Sequence, residues 1–592
     1  MTIDLECLLI SPEVTIREAM AVIESAPHRV GLSGIAVVVD ENRHLLGVVT
    51  DGDIRSAILH GTGLDSPVTT IMTTDPIAVT NHGAPKQMYD TVMELLKGST
   101  RMLDRGAGKV VVVDNEKRVV DVVSFFNLWQ QADIRSKKVA VLGLGFVGLT
   151  LAVVLADAGF QVTGIENRGE VVESLRQGVP HFYEAGLANQ LRTHLDRQLK
   201  IESSLANNEC DIYIISVGTP IGEDHHPVLN HVETACRAIG RVLKPGDTIM
   251  LRSTVSVGTT RTYCLPWLQE ESGLRGGKDF SLVFAPERTI AGKALKELRT
   301  LPQIIGSMDP QGAEIAASFY REITPIIVML DSLEAAEMVK LVNNAFRDTV
   351  FSFSNEIALV CERYGLDVFK IIDAANEGYP RDPVPMPSPG VGGVCLKKDP
   401  YLLKSTALAG GIEPSIIGRS RVVNEYMPYH VFQKFLRFLE TKGREPAGSK
   451  VFVVGFAFKG WPETSDMRDS STLELVRYLR QAAVRIFGYD PVITSQALSG
   501  IPGVEPCSLV DGFKDAECVF VMNNHPSYED WNLHAYLASM NMPGLFVDGW
   551  SIFRSDDIAR VAGISYSSLS QNSGWPESAE AERIEPKSVP GI

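Results

Sequence analysis

The stretch Val139-Ala-Val-Leu-Gly-Leu-Gly-Phe-Val-Gly148 decides the fold of most of this 592-residue chain. Its apolar start predicts a buried strand, and its three glycines turn the chain directly into a helix predicted over residues 149–158. A second strand, predicted over residues 161–165, is followed by Glu166, an acid 18 residues beyond the last glycine. This order and spacing predict a dinucleotide-binding unit within a doubly wound α/β domain.

The glycines have separate roles in such a unit. Gly143 permits the tight turn, Gly145 lets the backbone approach a pyrophosphate, and Gly148 lets the helix pack closely on the strand. The pyrophosphate is expected at the positive end of the helix, where Phe146 and Val147 also stand. These five residues are therefore predicted to form the cofactor loop.

The acid after the second strand decides which cofactor is expected. Glu166 is predicted to accept hydrogen bonds from the adenine ribose hydroxyls, and its charge repels a 2′-phosphate. Arg168 can instead accommodate phosphate, and glycines can form a turn that binds no ligand. The spacing favours NAD.

The apolar pattern also predicts the rest of the architecture. Further strands of the first domain are predicted at residues 212–217, 248–251 and 282–284. Residues 333–364 contain neither Pro nor Gly, which predicts one long helix that spans between lobes or forms a dimer interface. From Lys450 a second α/β alternation begins, with strands predicted at 451–454, 485–489, 519–522 and 545–547. This second lobe lacks the glycine triplet, so it is not a dinucleotide site of the same type.

An internal repeat occupies the N-terminal region. Gly34-Ile-Ala-Val-Val-Val-Asp40 aligns with Gly108-Lys-Val-Val-Val-Val-Asp114, and each copy reads as strand, polar turn, strand and helix start. Two such copies are expected to pack together, and they resemble a pair of CBS domains. Thr50-Asp-Gly-Asp53 fits that family's Thr/Ser-x-x-Asp pattern, whose carboxylate binds the ribose of an adenine nucleotide, whereas Ser124-Phe-Phe-Asn127 lacks the acid. One regulatory nucleotide site, at Thr50 and Asp53, is the hypothesis; a purely structural pair that mediates oligomerisation is the alternative.

These patterns divide the chain into five segments. They are a CBS pair (1–135), an NAD-binding domain (136–325), a central helical and dimerisation segment (326–445), a second Rossmann-like lobe (446–566) and a tail (567–592). The tail is rich in Ser, Glu and Pro and is predicted to be disordered.

Composition excludes several classes of function. The formal net charge of -16 argues against nucleic acid, because phosphate binding needs a basic face. No run approaches the roughly 18 apolar residues of a membrane span, and the N-terminus shows no signal peptide, so a cytoplasmic protein is predicted. Eight scattered cysteines form no C-x-x-C pair, so neither a disulfide framework nor a metal site is expected.

One cysteine stands apart from the others. Cys395 follows a loop with three glycines in four residues, Gly390-Val-Gly-Gly393, and precedes Lys397-Lys-Asp399 at a predicted helix start. A thiol at a helix N-terminus beside cations is expected to have a lowered pKa, which favours the nucleophilic thiolate. A packed cysteine beside a glycine turn is the alternative.

Other segments carry groups suited to an oxygen that gains negative charge. Lys340 and Asn344 are four residues apart on the long helix and share a face. Arg252-Ser-Thr254 and Phe284-Ala-Pro-Glu-Arg288 each follow a strand, and therefore lie at the sheet edge where α/β ligands bind. Turn and capping roles remain alternatives for these residues.

In their order along the chain, these segments resemble the UDP-glucose/GDP-mannose dehydrogenase family over residues 137 to about 560. The matching stretches are the glycine loop, Tyr183-Glu-Ala-Gly-Leu187, Val217-Gly-Thr-Pro220, Arg252-Ser-Thr-Val255, Lys340-Leu-Val-Asn-Asn344, Gly390-x-Gly-Gly-x-Cys395-x-x-x-Asp399, Gly455-Phe-Ala-Phe-Lys459, Asp466-Met-Arg468 and Tyr489-Asp-Pro491. The resemblance implies an NAD-dependent enzyme that oxidises a nucleotide-sugar alcohol to the acid in two hydride transfers, for cell-surface polysaccharide precursors.

The resemblance also assigns roles to residues. It implies that a water held by Thr254 and Asp399 takes the alcohol proton, and that Cys395 captures the aldehyde and becomes a thioester. Hydrolysis then uses Glu287 or an activated water as base. Lys340 and Asn344 stabilise the oxyanion, and lysine replaces a metal as Lewis acid. The resemblance further implies binding residues for the cofactor and for the substrate. For the cofactor they are Thr219, Thr254, Lys459 and Arg468. For the substrate they are Glu287, Arg288, Lys340, Asn344, Gly392, Phe458, Lys459 and, across a homodimer or higher homo-oligomer, Arg381.

Substrate identity depends on fewer positions. Arg288, Gly292 and Leu295 look more like the branch that acts on UDP-N-acetylhexosamines, so UDP-N-acetylglucosamine or UDP-N-acetylmannosamine is preferred to UDP-glucose. A two-electron 3-hydroxyacid dehydrogenase and a nucleotide-sensing protein with a degenerate dehydrogenase body are the rival hypotheses.

Overall fold

The computed structural model describes residues 5–30, 34–80, 109–124, 134–205, 210–222 and 224–573, together with positions 88, 91, 92 and 95. The chain divides into two compact units, with the boundary between residues 137 and 138. The predicted end of the N-terminal module, at residue 135, lies two residues before this boundary.

The N-terminal unit contains two similar three-stranded sheets. Their strands are β1 (Leu9–Ile10), β2 (Ile35–Val39) and β3 (Leu45–Thr50) in the first sheet, and β4 (Ala78–Thr80), β5 (Lys109–Val113) and β6 (Val119–Ser124) in the second. In each sheet the first pair is parallel and the second antiparallel, and the register shifts at Val38/Val39 and at the equivalent Val112/Val113. The internal repeat is therefore confirmed in strand order and in register.

The two copies pack on each other, as the sequence predicted. The Leu45 amide donates to the Lys117 carbonyl at 3.2 Å, and the Val119 amide donates to the Arg43 carbonyl at 2.9 Å. Apolar side chains of both copies share one core. Helices α1 (Ile16–Val30) and α2 (Asp51–Leu59) belong to the first copy. Residues 125–127, where the second copy lacks the acid, lie outside the described part of the chain.

The second unit begins with the predicted nucleotide-binding lobe. Its sheet has the order β14-β13-β12-β11-β10-β7-β8-β9 and is parallel except between β12 and β13. The strands are β7 (Lys138–Leu142), β8 (Gln161–Ile165), β9 (Leu199–Glu202), β10 (Ile212–Ile215), β11 (Thr248–Leu251), β12 (Ser281–Phe284), β13 (Gln303–Ser307) and β14 (Ile327–Leu330). The helices are α3 (Phe146–Asp157), α4 (Gly169–Arg176), α5 (Leu187–His194), α6 (Asn230–Gly240), α7 (Leu265–Ser272), α8 (Ala294–Thr300) and α9 (Pro310–Arg321). The sheet thus continues past the predicted domain end at residue 325.

Four helices form the middle of this unit. They are α10 (Leu333–Arg363), α11 (Val368–Asn376), α12 (Val394–Ala409) and α13 (Ser415–Thr441). The long predicted helix is α10, with 31 residues, and the hydroxyl of Ser332 caps it by accepting from the Ala335 amide at 3.1 Å. Both α12 and α13 pack along α10. This arrangement places the chain around Cys395 against the helix that carries Lys340.

The last lobe has a seven-stranded sheet of order β17-β16-β15-β18-β19-β20-β21, parallel except for β21. Its strands are β15 (Lys450–Val454), β16 (Arg485–Tyr489), β17 (Val504–Pro506), β18 (Cys518–Val521), β19 (Gly544–Asp548), β20 (Ile564–Ser567) and β21 (Asn572–Ser573). Its helices are α14 (Ser471–Gln481), α15 (Ser495–Ser499), α16 (Leu509–Phe513), α17 (Leu533–Ala538) and α18 (Ser555–Ile558).

The predicted start of the disordered tail, at residue 567, is wrong. Residues 567–573 complete the last sheet, with Leu569 fully buried and Ser570 Oγ accepting a hydrogen bond of 3.0 Å from the Val368 amide. The remaining residues of that segment, 574–592, lie outside the described chain.

Short helical turns complete the description. They are Leu5–Cys7, Val68–Thr70, Ile134–Ser136, Thr260–Cys264 and Pro526–Tyr528. Among the helices of the described residues, none has the length and apolar character needed to cross a bilayer.

Candidate active site

The glycine loop has the geometry that the sequence predicted. Gly143 has a φ of 88°, which favours glycine, and Gly145 precedes the first residue of α3 with open space on its Cβ side. A Cβ on Gly148 would overlap the carbonyl oxygen of Gly143, so only glycine allows this approach of helix and strand. Phe146 and Val147 open α3. The loop therefore leaves backbone and space where a pyrophosphate binds.

The acid at the end of β8 lies beside this loop. Glu166 accepts a hydrogen bond of 3.2 Å from the Leu144 amide and one of 3.0 Å from Arg168 Nε. Burial raises the pKa of Glu166, but the bonds and charge of Arg168 outweigh it, so the pKa is below its usual value. Arg168 is thus held by the carboxylate rather than presented to a phosphate. These residues fit NAD.

Cys395 is the second residue of α12, and a tightly packed glycine loop leads to it. The Gly393 amide donates to the Asp469 carbonyl at 3.1 Å. A Cβ on Gly393 would lie 2.8 Å from the Phe458 ring, and one on Gly392 would lie 2.9 Å from the Asp469 oxygen. The loop is therefore fixed against the second lobe. Of the eight cysteines, all within the described chain, only Cys395 is exposed.

The electrostatic setting of the sulfur differs from the prediction. Although the Cys395 side chain is exposed, the surrounding protein atoms at the lobe junction partly desolvate the thiol, which raises the pKa of Cys395. The charge of Asp399 raises this pKa further, whereas Lys340, Lys398 and Arg468 act in the opposite direction. The net pKa lies above the ordinary value, so the predicted lowered pKa is wrong for this structure. The sulfur is reachable, but it must give up a proton when it attacks.

A chain of polar contacts runs beside the sulfur. Asn344 Nδ2 donates to Asp399 Oδ2 at 2.5 Å, and Lys398 Nζ lies 2.9 Å from Asp399 Oδ1. Lys398 also donates to Thr219 Oγ1 at 3.1 Å, and that hydroxyl donates to the Thr254 carbonyl at 2.6 Å. The structure thus brings Asn344, Asp399, Thr219 and Thr254 together. The sequence analysis counted Lys398 only among the cations beside Cys395 and did not predict that it would connect Asp399 to Thr219.

Lys340 belongs to the same group. It is buried on the face of α10 that carries Asn344, and its charge acts on Cys395. Among the described residues, none accepts a hydrogen bond from its ammonium group. A buried cation without an acceptor is suited to stabilise an oxyanion on the substrate.

Glu287 occupies a different position from the one expected of a general base. Its Oε2 is paired with Arg252 Nη2 at 2.5 Å, and its Oε1 accepts from the amides of Arg288 and Thr289 at 2.7 and 2.6 Å. Burial raises the pKa of Glu287, but Arg252 and the amides more than offset this, and the pKa is lowered. An ionised carboxylate with both oxygens bonded anchors its loop. The geometry favours the anchoring role over the predicted role in hydrolysis.

Two predicted cations come from the second lobe. Lys459 Nζ donates to the Ala291 carbonyl at 2.6 Å, and burial, helped by the charge of Arg347, lowers the pKa of Lys459 to about 8. Arg468 is paired with Asp466 at 2.7 Å, and its charge reaches Cys395. Both lobes therefore contribute charge at the junction where Cys395 lies.

Other predicted residues lie apart from this cluster. Arg288 Nη1 is 3.5 Å from the Pro302 carbonyl, and Arg381 is on an exposed loop with its guanidinium 5.8 Å from the centre of the Tyr379 ring. In the N-terminal unit, Asp53 Oδ2 accepts from the Thr50 amide and hydroxyl at 2.9 and 2.7 Å and so caps α2. That capping fits the structural alternative as well as a nucleotide site.

The fold and the site define a two-lobed NAD-dependent dehydrogenase. Models of the UDP-glucose/GDP-mannose dehydrogenase family match three successive regions, the NAD binding domain at residues 137–324, the central domain at 334–426 and the UDP binding domain at 452–555. The chain belongs to this family of nucleotide-sugar dehydrogenases. A CBS domain model matches residues 3–60.

Known proteins of this family are similar along most of their length. The UDP-N-acetyl-D-mannosamine dehydrogenase of Pyrococcus horikoshii is 33% identical over 428 residues, covering 72% of this chain and 98% of the relative. The UDP-N-acetyl-D-glucosamine 6-dehydrogenase of Pseudomonas aeruginosa is 31% identical over 63% of this chain and 87% of the relative. The structure of a UDP-glucose dehydrogenase from Pyrobaculum islandicum has a TM-score of 0.65 and 30% identity, covering 74% of this chain and 99% of that one.

The raised pKa of Cys395 predicts its reactivity. Alkylation by iodoacetamide should rise most steeply above the ordinary thiol range of about 8.5, because a raised pKa leaves less thiolate at any given pH. Asp399→Asn should lower the pKa and speed alkylation at pH 7.5, and Lys340→Met should slow it. Peptide mass spectrometry measures this, with Cys507, whose pKa burial raises to about 11, as internal reference. If the alkylation rate of Cys395 has its pH midpoint below the ordinary thiol range, the raised pKa is contradicted.

Proposed function

We propose that the protein oxidises the C6 alcohol of a UDP-N-acetylhexosamine to the carboxylate, using two NAD and a thioester on Cys395. The observation that carries this proposal is the convergence at one lobe junction of an exposed thiol, an unpaired buried ammonium and the Asn344–Asp399 pair. A two-electron hydroxyacid dehydrogenase needs neither the thiol nor a second lobe that matches a UDP binding domain.

The first oxidation produces an aldehyde. When bound, NAD accepts the hydride that leaves C6, and the alcohol proton passes to a water held by Thr254 and Asp399. Lys340 and Asn344 stabilise the negative charge that develops on the oxygen. Transfer of the alcohol proton to water fits this site, because a series of hydrogen-bonded side chains connects Asp399 to Thr254.

The second oxidation passes through the cysteine. The Cys395 sulfur bonds to the aldehyde carbon while the thiol proton moves to the former carbonyl oxygen, which gives a thiohemiacetal. The thiohemiacetal then loses a second hydride, for which a second NAD would be the acceptor, and its hydroxyl proton, which water takes up. Water finally hydrolyses the thioester to the acid and the free thiol. Because Glu287 is fully bonded, an activated water is the better base of the two that the sequence predicted.

The relatives and the sequence around Arg288 support the substrate class that we propose. Two similar relatives are named for UDP-N-acetylhexosamines, which favours UDP-N-acetylmannosamine or UDP-N-acetylglucosamine. UDP-glucose is the second candidate, favoured by the structural similarity to the Pyrobaculum islandicum protein. Lys459, Phe458 and Gly392 are proposed to contact the nucleotide sugar, because they line the junction beside Cys395.

We also infer a dimer built on α10. Its outward face carries large exposed apolar side chains at Val342, Phe346, Phe353, Val360 and Tyr364, spaced four and seven residues apart. Such a stripe on a long helix needs a partner surface. In such a dimer, we propose that the exposed Arg381 reaches the substrate of the neighbouring copy.

Counting NADH tests the thioester route. Wild-type enzyme should release two NADH per nucleotide sugar consumed, whereas Cys395→Ser should release at most one and stall at the aldehyde. Absorbance at limiting substrate measures the ratio, and both UDP-N-acetylhexosamines, UDP-glucose and GDP-mannose should be compared. Two NADH per sugar from the serine variant contradicts the role of the sulfur.

The dimer proposal has a direct test. Phe353→Asp places a charge in the middle of the apolar stripe and should convert the assembly to monomers in sedimentation velocity. Val510→Asp, at a similarly exposed apolar residue of the second lobe, is the matched control and should not change the mass. An unchanged mass for Phe353→Asp excludes this face as the interface.

Adenine nucleotide binding at the CBS module is proposed separately. ATP or AMP should bind wild type and bind Asp53→Ala at least about tenfold more weakly, since a ribose hydrogen-bond acceptor is lost. Calorimetric titration measures both affinities. If neither nucleotide binds wild type, the module has only a structural role.

A further inference from the structure

The polar face of α10 continues beyond the residues already assigned. Lys340, Asn344 and Asp348 are spaced at four-residue intervals and therefore lie along one face, and Asn355 follows two turns later on that face. Asp348 and Asn355 are both completely buried. None of the steps described above uses these two residues, so the reason for burying a carboxylate and an amide here is open.

Asp348 forms a buried ion pair with α13. Arg421 Nη1 lies 2.7 Å from Asp348 Oδ1, and both side chains are almost fully buried. Asn424, one turn further along α13, donates to Asp348 Oδ1 at 2.9 Å and to its backbone carbonyl at 3.0 Å. Burial raises the pKa of Asp348 and Arg421 opposes that effect. A buried pair of this kind is costly to break from one side, since a lone charge remains.

This network holds the nucleophile loop at both ends. Asn355 Nδ2 donates to Asn424 Oδ1 at 2.9 Å, and its own Oδ1 accepts from the Ser388 amide at 2.8 Å, before the glycines. Beyond the cysteine, Arg421 Nη1 reaches the Leu396 carbonyl at 3.4 Å, one residue after Cys395.

A third contact holds the body of α12. Arg421 Nη2 donates to Glu425 at 3.0 Å, and Glu425 accepts from the Tyr401 hydroxyl at 3.2 Å. One guanidinium thus connects α10, α13 and α12 through three separate acceptors. Only the planar fork of arginine can reach all three, because a lysine ammonium is a single point charge.

We propose that Asp348 and Arg421 are positioning residues, which fix Cys395 relative to Lys340 and Asn344. Lys340 and Asn344 lie on α10. The same helix also provides Asp348, which holds the loop that leads to Cys395 through Arg421 and Asn424. The distance between nucleophile and oxyanion site is therefore set by this buried network together with the packing of Gly392 and Gly393 in the loop. This inference rests on the proposed role of Cys395 in the thioester step.

Arg421→Lys is the variant that tests the proposal. It keeps the charge that pairs with Asp348 but loses the contacts to Leu396 and Glu425. We expect kcat to fall about tenfold or more with KM for NAD and nucleotide sugar within about twofold, because small misplacement of a reacting group costs rate rather than binding. Alkylation of Cys395 at pH 7.5 should also slow, since the sulfur moves with Asp399 away from Lys340.

A second buried pair on the same two helices supplies the control. Glu362 of α10 pairs with Lys434 of α13, and His430 Nε2 lies 3.1 Å from Glu362. His430 contacts the carbonyl of Leu569, and Glu362 accepts from the side chain of Asn572, so this pair is linked to the last strands of the second lobe rather than to the nucleophile loop. Lys434→Arg therefore changes a buried ion pair between the same helices and should leave kcat and thiol alkylation at wild-type values.

The outcomes separate the two proposals. The positioning role is overturned if folded Arg421→Lys keeps wild-type kcat and wild-type thiol alkylation. It is also overturned if Lys434→Arg loses as much kcat and alkylation as Arg421→Lys. In both cases the thioester route still stands, provided that Cys395→Ser stalls at the aldehyde. If Cys395→Ser releases two NADH, the thioester route fails whatever Arg421 does. If circular dichroism shows that Arg421→Lys does not fold, Asn355→Ser tests the same buried network without changing a charge, because it weakens the contact to the Ser388 amide. We expect the same fall in kcat. An unchanged kcat overturns the inference.

Discussion

The close packing of Gly392 and Gly393 against the second lobe sets the position of Cys395. A Cβ at either glycine would lie within 3 Å of the Asp469 carbonyl or the Phe458 ring, and Gly393 has a φ of 89°. Because α12 starts directly after this contact, its first turn is fixed where the lobes meet. The thiol can therefore face charged groups of the central helices and of the second lobe at once. A larger residue in the loop would move the sulfur away from both.

Opposing electrostatic effects act on that sulfur. Burial and Asp399 favour the neutral thiol, whereas Lys340, Lys398 and Arg468 favour the thiolate. In the proposed mechanism, this balance keeps the proton on sulfur until an aldehyde is bound. The Lys340 ammonium, which opposes protonation of the thiol, would then stabilise the negative charge that develops on the aldehyde oxygen before the thiol proton reaches it. Neutralising Asp399 would make a free thiolate more abundant and would also release Asn344 from its 2.5 Å bond.

Sequence patterns predicted those parts of the structure that depend on local periodicity and on glycine. The strands at 161–165, 248–251 and 485–489 were predicted to the residue, since apolar runs bounded by turns identify buried strands. The role of Glu287 was predicted less well, because its partner Arg252 is 35 positions away and only the fold brings the two together. Residues 567–573 were taken as tail because their serines are polar, yet Ser570 is buried by bonding a backbone amide. The buried bonds of Lys398 to Thr219 and Asp399 were not predicted, since a lysine beside an acid is usually solvated.

The helix α10 carries both the proposed oxyanion-binding residues and the proposed dimer face. At 3.6 residues per turn, Lys340, Asn344 and Asp348 lie on one side of the helix, and Phe346, Phe353 and Val360 lie on the opposite side. Burying the apolar side against a second copy would remove from water the helix that positions the oxyanion-binding pair. Association and catalysis would then share one rigid element, and a helix of 31 residues is long enough to serve both. A monomer would keep every catalytic side chain but would leave their common support exposed to solvent along one side.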